Sequence, residues 1–109
     1  MLALAFFIAA HCFVTPSVHA EDNVDRVVDI EIINYRFTPG DVIIKAGDHV
    51  RWTNHEKRTS HSILFAAEGL PESERLFPGE SWERTFKKAG LYPYSCGPHP
   101  EMKGIVRVE

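Results

Sequence analysis

The sequence predicts an all-β protein, a two-sheet Greek-key β-sandwich of about eight strands. Apolar and polar residues alternate at period two in several short runs. Gly, Pro and Asn/Asp turn signals interrupt these runs about every ten residues. No stretch beyond Ala20 carries the apolar repeat of an amphipathic helix.

Val28, Ile30 and Ile32 alternate with Asp29 and Glu31, the pattern of a strand with one buried face. The phase then slips by one, because Ile33, Tyr35 and Phe37 alternate next; a bulge or bend near Ile32-Ile33 is expected. Thr38-Pro39-Gly40-Asp41 reads as a turn, Val42 to Lys45 as a strand, and Ala46-Gly47-Asp48 as another turn. His49 to Thr53 follows as a strand with Val50 and Trp52 inward. His61, Ile63 and Phe65 share one parity, which places His61 at a strand end on the core-facing side. Residues 66–79 form the longest irregular stretch, and a loop of that length is more often functional than ornamental. Glu80 to Lys87 reads as a strand with Trp82 and Phe86 inward. Ala89-Gly90 turns the chain, Tyr92, Tyr94 and Cys96 then share one face, and Met102 to Glu109 is the closing strand.

Residues 1–20 carry no Lys, Arg, Asp or Glu, contain the apolar run Leu2 to Ala10, and end in Val18-His19-Ala20. They read as a signal peptide cleaved after Ala20, although only the free amino terminus supplies the positive charge of its first part. The run is too short to span a bilayer, and His11 before Cys12 is wrong for a lipoprotein cleavage site. One domain, residues 21–109, remains. It keeps a single cysteine, Cys96, so it can form no internal disulfide. A lone thiol in an oxidising compartment needs protection, and ligation to a metal provides it. The net charge of −3 and the lack of a basic stripe argue against nucleic acid as a partner.

The residues that carry chemistry lie near the C-terminus. Cys96, His99 and Met102 stand at Cys-x-x-His-x-x-Met spacing in a tight loop between two strand-like runs, and Ser60-His61-Ser62 offers a distant imidazole. Two His, one Cys thiolate and a weak axial Met form the ligand set of mononuclear blue-copper centres. Pro98 and Pro100 fix φ near about −65° and hold such a loop, and Gly97 permits close backbone approach to the sulfur. Taken singly, each residue has a duller reading: a buried Cys is a small hydrophobe, a lone Met is core filler, and a surface His does nothing. The spacing outweighs those readings together. Zinc fits less well, because a structural site needs four Cys/His ligands and a thioether is a poor zinc donor. His49 and His55 are expected to be solvated.

Ile33-x-Tyr35-x-Phe37-x-Pro39, Lys45-Ala46-Gly47-Asp48-x-Val50-x-Trp52-x-Asn54, His61, and Gly90-x-Tyr92-x-Tyr94-x-Cys96-x-x-His99-x-x-Met102-x-Gly104 together resemble the cupredoxins, the type 1 blue copper proteins. The short ligand loop is similar to that of the amicyanin group. The resemblance implies a periplasmic protein with one copper ion, cycling between Cu(I) and Cu(II), that carries single electrons between larger redox partners. It implies docking of a dehydrogenase or a c-type cytochrome near an exposed His99, by a monomer with no membrane span. Two positions depart from the family pattern: Ser62 stands where Asn is common after the first His ligand, and Gly97 where amicyanins often have Thr after the Cys. Thr59, Ser60 and Glu101 also make the expected docking face more polar.

The expected function is thus electron transfer without catalysis, since no further His cluster is present for a second copper centre. The rival expectation is copper delivery or buffering, which calls for Met- or His-rich exchange tracts; the chain has two Met, one of them Met1.

Overall fold

The computed structural model describes residues 5, 8–12 and 25–109. The expected signal peptide lies mostly outside the described residues, its cleavage site wholly so. Among the described residues, seven strands build two mixed sheets: β1 (Val27–Ile33), β2 (Arg36–Thr38), β3 (Asp41–Ile44), β4 (His49–Asn54), β5 (Ser81–Thr85), β6 (Gly90–Ser95) and β7 (Lys103–Val108). One sheet has the order β2-β1-β4-β5, the other β3-β7-β6. The pairs β1–β4 and β3–β7 run parallel, and the other neighbours run antiparallel. Period-two alternation sends one face of each strand inward. Ile30 and Ile32 of β1, Val50 and Trp52 of β4, and Tyr94 and Val106 of the opposite sheet all meet in the core.

The slip of phase after Ile32 has a different cause from the expected bulge. Asn34 and Tyr35 both adopt left-handed backbone, with φ of 53° and 55°, and form a two-residue hairpin turn that pairs Ile32 with Phe37. Positive φ at both central residues is the primed-turn geometry that suits the twist of a hairpin. The turn keeps Ile32 and Phe37 inward and turns Ile33 and Tyr35 out, so these two do not join the core.

The segment expected as a strand at residues 61–65 is held by two isolated bridges instead, His61 with Leu76 and Leu64 with Ser95. Its alternation fails because Ser62 is buried as completely as its neighbours. The segment is clamped between the 66–79 stretch and β6, and this clamp brings distant residues to the metal-binding end. Along residues 66–79 the only helix is a short 3-10 turn at Ala66–Glu68.

Two packing features stiffen the sandwich. A Cβ at Gly104 would overlap Cζ and the hydroxyl of Tyr94, so the bare glycine lets that ring lie flat on β7. Arg84 sets its guanidinium 4.3 Å from the Phe65 ring centre and 4.5 Å from that of Phe86. Its two terminal nitrogens each donate to a Glu68 carboxylate oxygen at 2.7 Å.

Candidate metal centre

Cys96 follows the last residue of β6, and its inward parity is inherited from Tyr92 and Tyr94. The chain then doubles back at once. The Cys96 amide donates to the Met102 carbonyl at 3.0 Å, and the Met102 amide donates to the His99 carbonyl at 2.9 Å. These two bonds close the loop on itself, with Pro98 and Pro100 limiting its backbone freedom. Met102 is buried, and His99 is half-buried at the rim between exposed Pro98 and Pro100.

His61 reaches the same place from the other side. Its amide donates to the Leu76 carbonyl at 3.0 Å, and the Leu76 amide donates back at 2.7 Å. Buried Asn54, at the end of β4, secures both surrounding loops by donating to the carbonyls of Thr59 (2.8 Å) and Leu76 (2.9 Å). Its side-chain oxygen accepts from the Glu56 amide at 2.9 Å.

The outcome is a converging donor set. His61 Nδ1 and His99 Nδ1 each lie 3.6 Å from Cys96 Sγ, and the three donor atoms fall within 4.8 Å of one another. Donors bound at ~2.0–2.3 Å to one ion lie roughly 3.3–4 Å apart, so the set is sized for a single soft metal. The sulfur also faces the Ser62 amide at 3.4 Å, a donor that stabilises a thiolate. With Nδ1 turned to the sulfur, the other nitrogen of His61 faces Glu56. Its Nε2 stands 3.6 Å from Glu56 Oε1, just too far for a hydrogen bond, and has no other partner. Burial pushes the His61 imidazole below its ordinary pKa and nearby His99 pushes it further, while Glu56 pulls the other way. A neutral imidazole is the form that binds metal.

The sequence expectations fare unevenly in detail. The structure brings His61, Cys96 and His99 together, with Met102 buried at the end of their loop. His49 instead meets Thr85 Oγ1 at 2.7 Å at the start of β4, and exposed His55 stands 3.9 Å from Glu31; neither joins the cluster. Three neighbours of the site were not anticipated: Tyr35, whose ring contacts both imidazoles, Glu56, and Glu72, which hydrogen-bonds Ser62. Spacing gives no signal for the two acids, and the alternation of Ile33, Tyr35 and Phe37 groups Tyr35 with buried Phe37, whereas its ring is half exposed.

The sandwich and its His/Cys/His donor set define a copper-binding protein of the cupredoxin class. The chain belongs to the family described as copper binding proteins, plastocyanin/azurin family, whose sequence model matches residues 24–109. It is 33% identical over 94 residues to the amicyanin of Paracoccus denitrificans, an alignment covering 83% of this chain and 71% of that protein. The crystal structure of amicyanin from Paracoccus versutus superposes with a TM-score of 0.70 and 34% identity, covering 76% of this chain and 81% of that one. A copper-containing nitrite reductase from Thermus scotoductus also aligns, with a TM-score of 0.69 and 29% identity. That match covers 75% of this chain but 22% of the reductase, so the reductase is a much longer chain. The cofactor that goes with family membership is one type 1 copper ion, and the function is cupredoxin electron transfer.

Proposed function

We propose that this protein is an exported, periplasmic one-electron carrier that acts without catalysing a reaction of its own. In this reading His61, Cys96, His99 and Met102 hold the copper ion, which accepts and releases one electron. The observation that carries the reading is the convergence of two Nδ1 atoms on one buried sulfur, each at 3.6 Å, with a backbone amide aimed at that sulfur. The donor set, a thiolate with two imidazoles and a buried thioether on the same loop, is the one that favours copper over harder cations.

The chain's own residues supply rigidity. His61 is fixed by paired backbone bonds to Leu76, and the other three residues belong to one self-closed loop. A ligand set that cannot rearrange keeps structural change small between oxidation states. His99 is the part of the set nearest solvent, so it offers the edge through which an electron leaves. A dehydrogenase or c-type cytochrome would dock there transiently, with the carrier a monomer. Export rests on residues 1–20, with the mature chain beginning at Glu21.

The test is the visible spectrum of the copper-loaded protein and of its Cys96→Ser variant. The native protein should show an intense thiolate-to-copper band and a narrow copper hyperfine splitting. The serine variant should fold and lose the band, since oxygen is a harder donor. A serine variant that stayed blue would rule out Cys96 as a ligand.

A further inference from the structure

The two positions that depart from the cupredoxin pattern, Ser62 and Gly97, are met by a single side chain from elsewhere in the chain. Glu72 comes from the 66–79 stretch, and its Oε1 accepts a short hydrogen bond from Ser62 Oγ. Ser62 Oγ in turn accepts from the Gly97 amide at 3.0 Å. A Cβ at position 97 would overlap Oε1 and Cδ of Glu72 and would stand 2.7 Å from Ser62 Oγ. Glycine at 97 therefore makes room for the carboxylate, and serine at 62 is short enough to leave it a path.

The arrangement is held in register. The Ser73 amide donates to the Ile63 carbonyl at 2.9 Å, and the Ile63 amide donates to Ser73 Oγ at 2.8 Å. The residue after Glu72 is thus locked to the residue after Ser62. Ser62 is fully buried, and its own amide faces Cys96 Sγ at 3.4 Å. A continuous line of donors runs from the Gly97 amide through the Ser62 hydroxyl to the carboxylate, one residue from the sulfur. Linked hydrogen bonds of this kind polarise one another.

We propose that Glu72 is a positioning and tuning residue of the metal centre, acting through Ser62 and Gly97. It joins the His61 segment to the start of the ligand loop, and its negative charge favours the more positive, oxidised state of the centre. The proposal deepens the electron-carrier reading and rests on it. Groups that hydrogen-bond and orient the ligands of a metal site tune that site. Glu72 is otherwise exposed, so its charge is partly screened by salt.

The experiment is voltammetry of the copper-loaded protein at fixed pH and low ionic strength, with wild type, Glu72→Gln, Ser62→Ala, the double variant and a remote control, Glu109→Gln. Gln keeps an acceptor oxygen and removes the charge. The expected result is a shift to more positive potential in Glu72→Gln that shrinks with added salt and exceeds the shift in the control. In the Ser62→Ala background the same change should have a smaller effect, which a double-mutant cycle reads as coupling. Amide hydrogen exchange in the metal-free protein gives a second readout: Gly97 should be protected in wild type and lose that protection in Ser62→Ala. A Glu72→Gln potential equal to that of the control, or a shift of the same size in the Ser62→Ala background, would overturn the proposal. A wild-type protein without the intense band would instead overturn the carrier reading itself.

Discussion

The phenol ring of Tyr35 stands edge-on to the imidazole of His99, with 5.1 Å between ring centres and 86° between their planes. The same ring meets His61 edge-on at 5.6 Å and 82°. Its hydroxyl lies 3.1 Å from Thr59 Oγ1, and its amide donates to Glu56 Oε1 at 2.7 Å. The hairpin turn between β1 and β2 therefore lies over both imidazoles and ties them to the 55–60 loop.

Tyr35 sets a backbone penalty against an aromatic contact. Left-handed backbone costs a non-glycine residue about 1–2 kcal/mol, and an aromatic pair contributes about 0.5–1.5 kcal/mol beyond its buried area. Tyr35→Gly relieves the strain and loses the ring, so its stability should stay within about 1 kcal/mol of wild type. Tyr35→Ala keeps the strain and loses the ring, and should be the less stable variant. Denaturant unfolding of the metal-free proteins checks the order, and equal stability of the two would show that the turn is unstrained.

The charge around His99 should govern encounter. A groove of about 420 Å³ lined by Ile33, Asn34, His55, Glu56, Lys57, Arg58 and Thr59 borders the Tyr35 turn, and Lys57 and Arg58 are exposed. Lys57→Glu should slow oxidation of the reduced protein by the ferricyanide anion, by up to roughly ten-fold at low salt. Glu101→Lys should speed it, and added salt should diminish both effects. Stopped-flow rates unaffected by either change would place the electron-transfer edge elsewhere.

Arg84 should resist replacement by lysine. Its fork matches the two oxygens of Glu68 while its plane lies over Phe65 and Phe86. A lysine keeps the charge but neither the paired hydrogen bonds nor the stacking. Arg84→Lys should cost about 1–2 kcal/mol in urea unfolding. A loss close to zero would mean the cluster is only surface decoration.

Asp48 should make the fold sensitive to acid. The Lys45 amide, 3.0 Å away, holds the buried carboxyl below its ordinary value of 3.8, helped by the Arg26 amide at 3.2 Å and opposed by burial. The folded pKa is lower than the unfolded one, so the contribution is complete above about 3.8 and disappears as pH falls through the folded value. Asp48→Asn should flatten this acid limb of the melting temperature. Parallel acid limbs in wild type and variant would assign the sensitivity to other groups.

Much of the site was legible because it is local. Cys96, His99 and Met102 occupy one short loop, and their spacing is a property of the chain before it folds. His61 was found by parity with Ile63 and Phe65, although the strand that parity suggested is replaced by two isolated bridges. The Asn34-Tyr35 turn is hard to read because tyrosine, not glycine, follows Asn34; asparagine favours left-handed backbone, but a tyrosine at positive φ leaves no mark in the sequence. Trp82, expected inward, is half-buried because β5 is an edge strand of its sheet. Glu72 was invisible for a different reason: only the folded chain brings residue 72 to residues 62 and 97.

The ligand loop closes through bonds between its own residues, Cys96 to Met102 and Met102 to His99, the first of them carrying the β6–β7 ladder one pair further. A single inserted residue between Cys96 and Met102 would break that closure. Replacing the whole loop with another self-closed one would not. Lineages with this architecture should therefore change loop length in jumps, by exchange of an intact cassette, while residues 66–79 accept single insertions only away from Glu72, Ser73 and Leu76, which are bonded to the His61 segment.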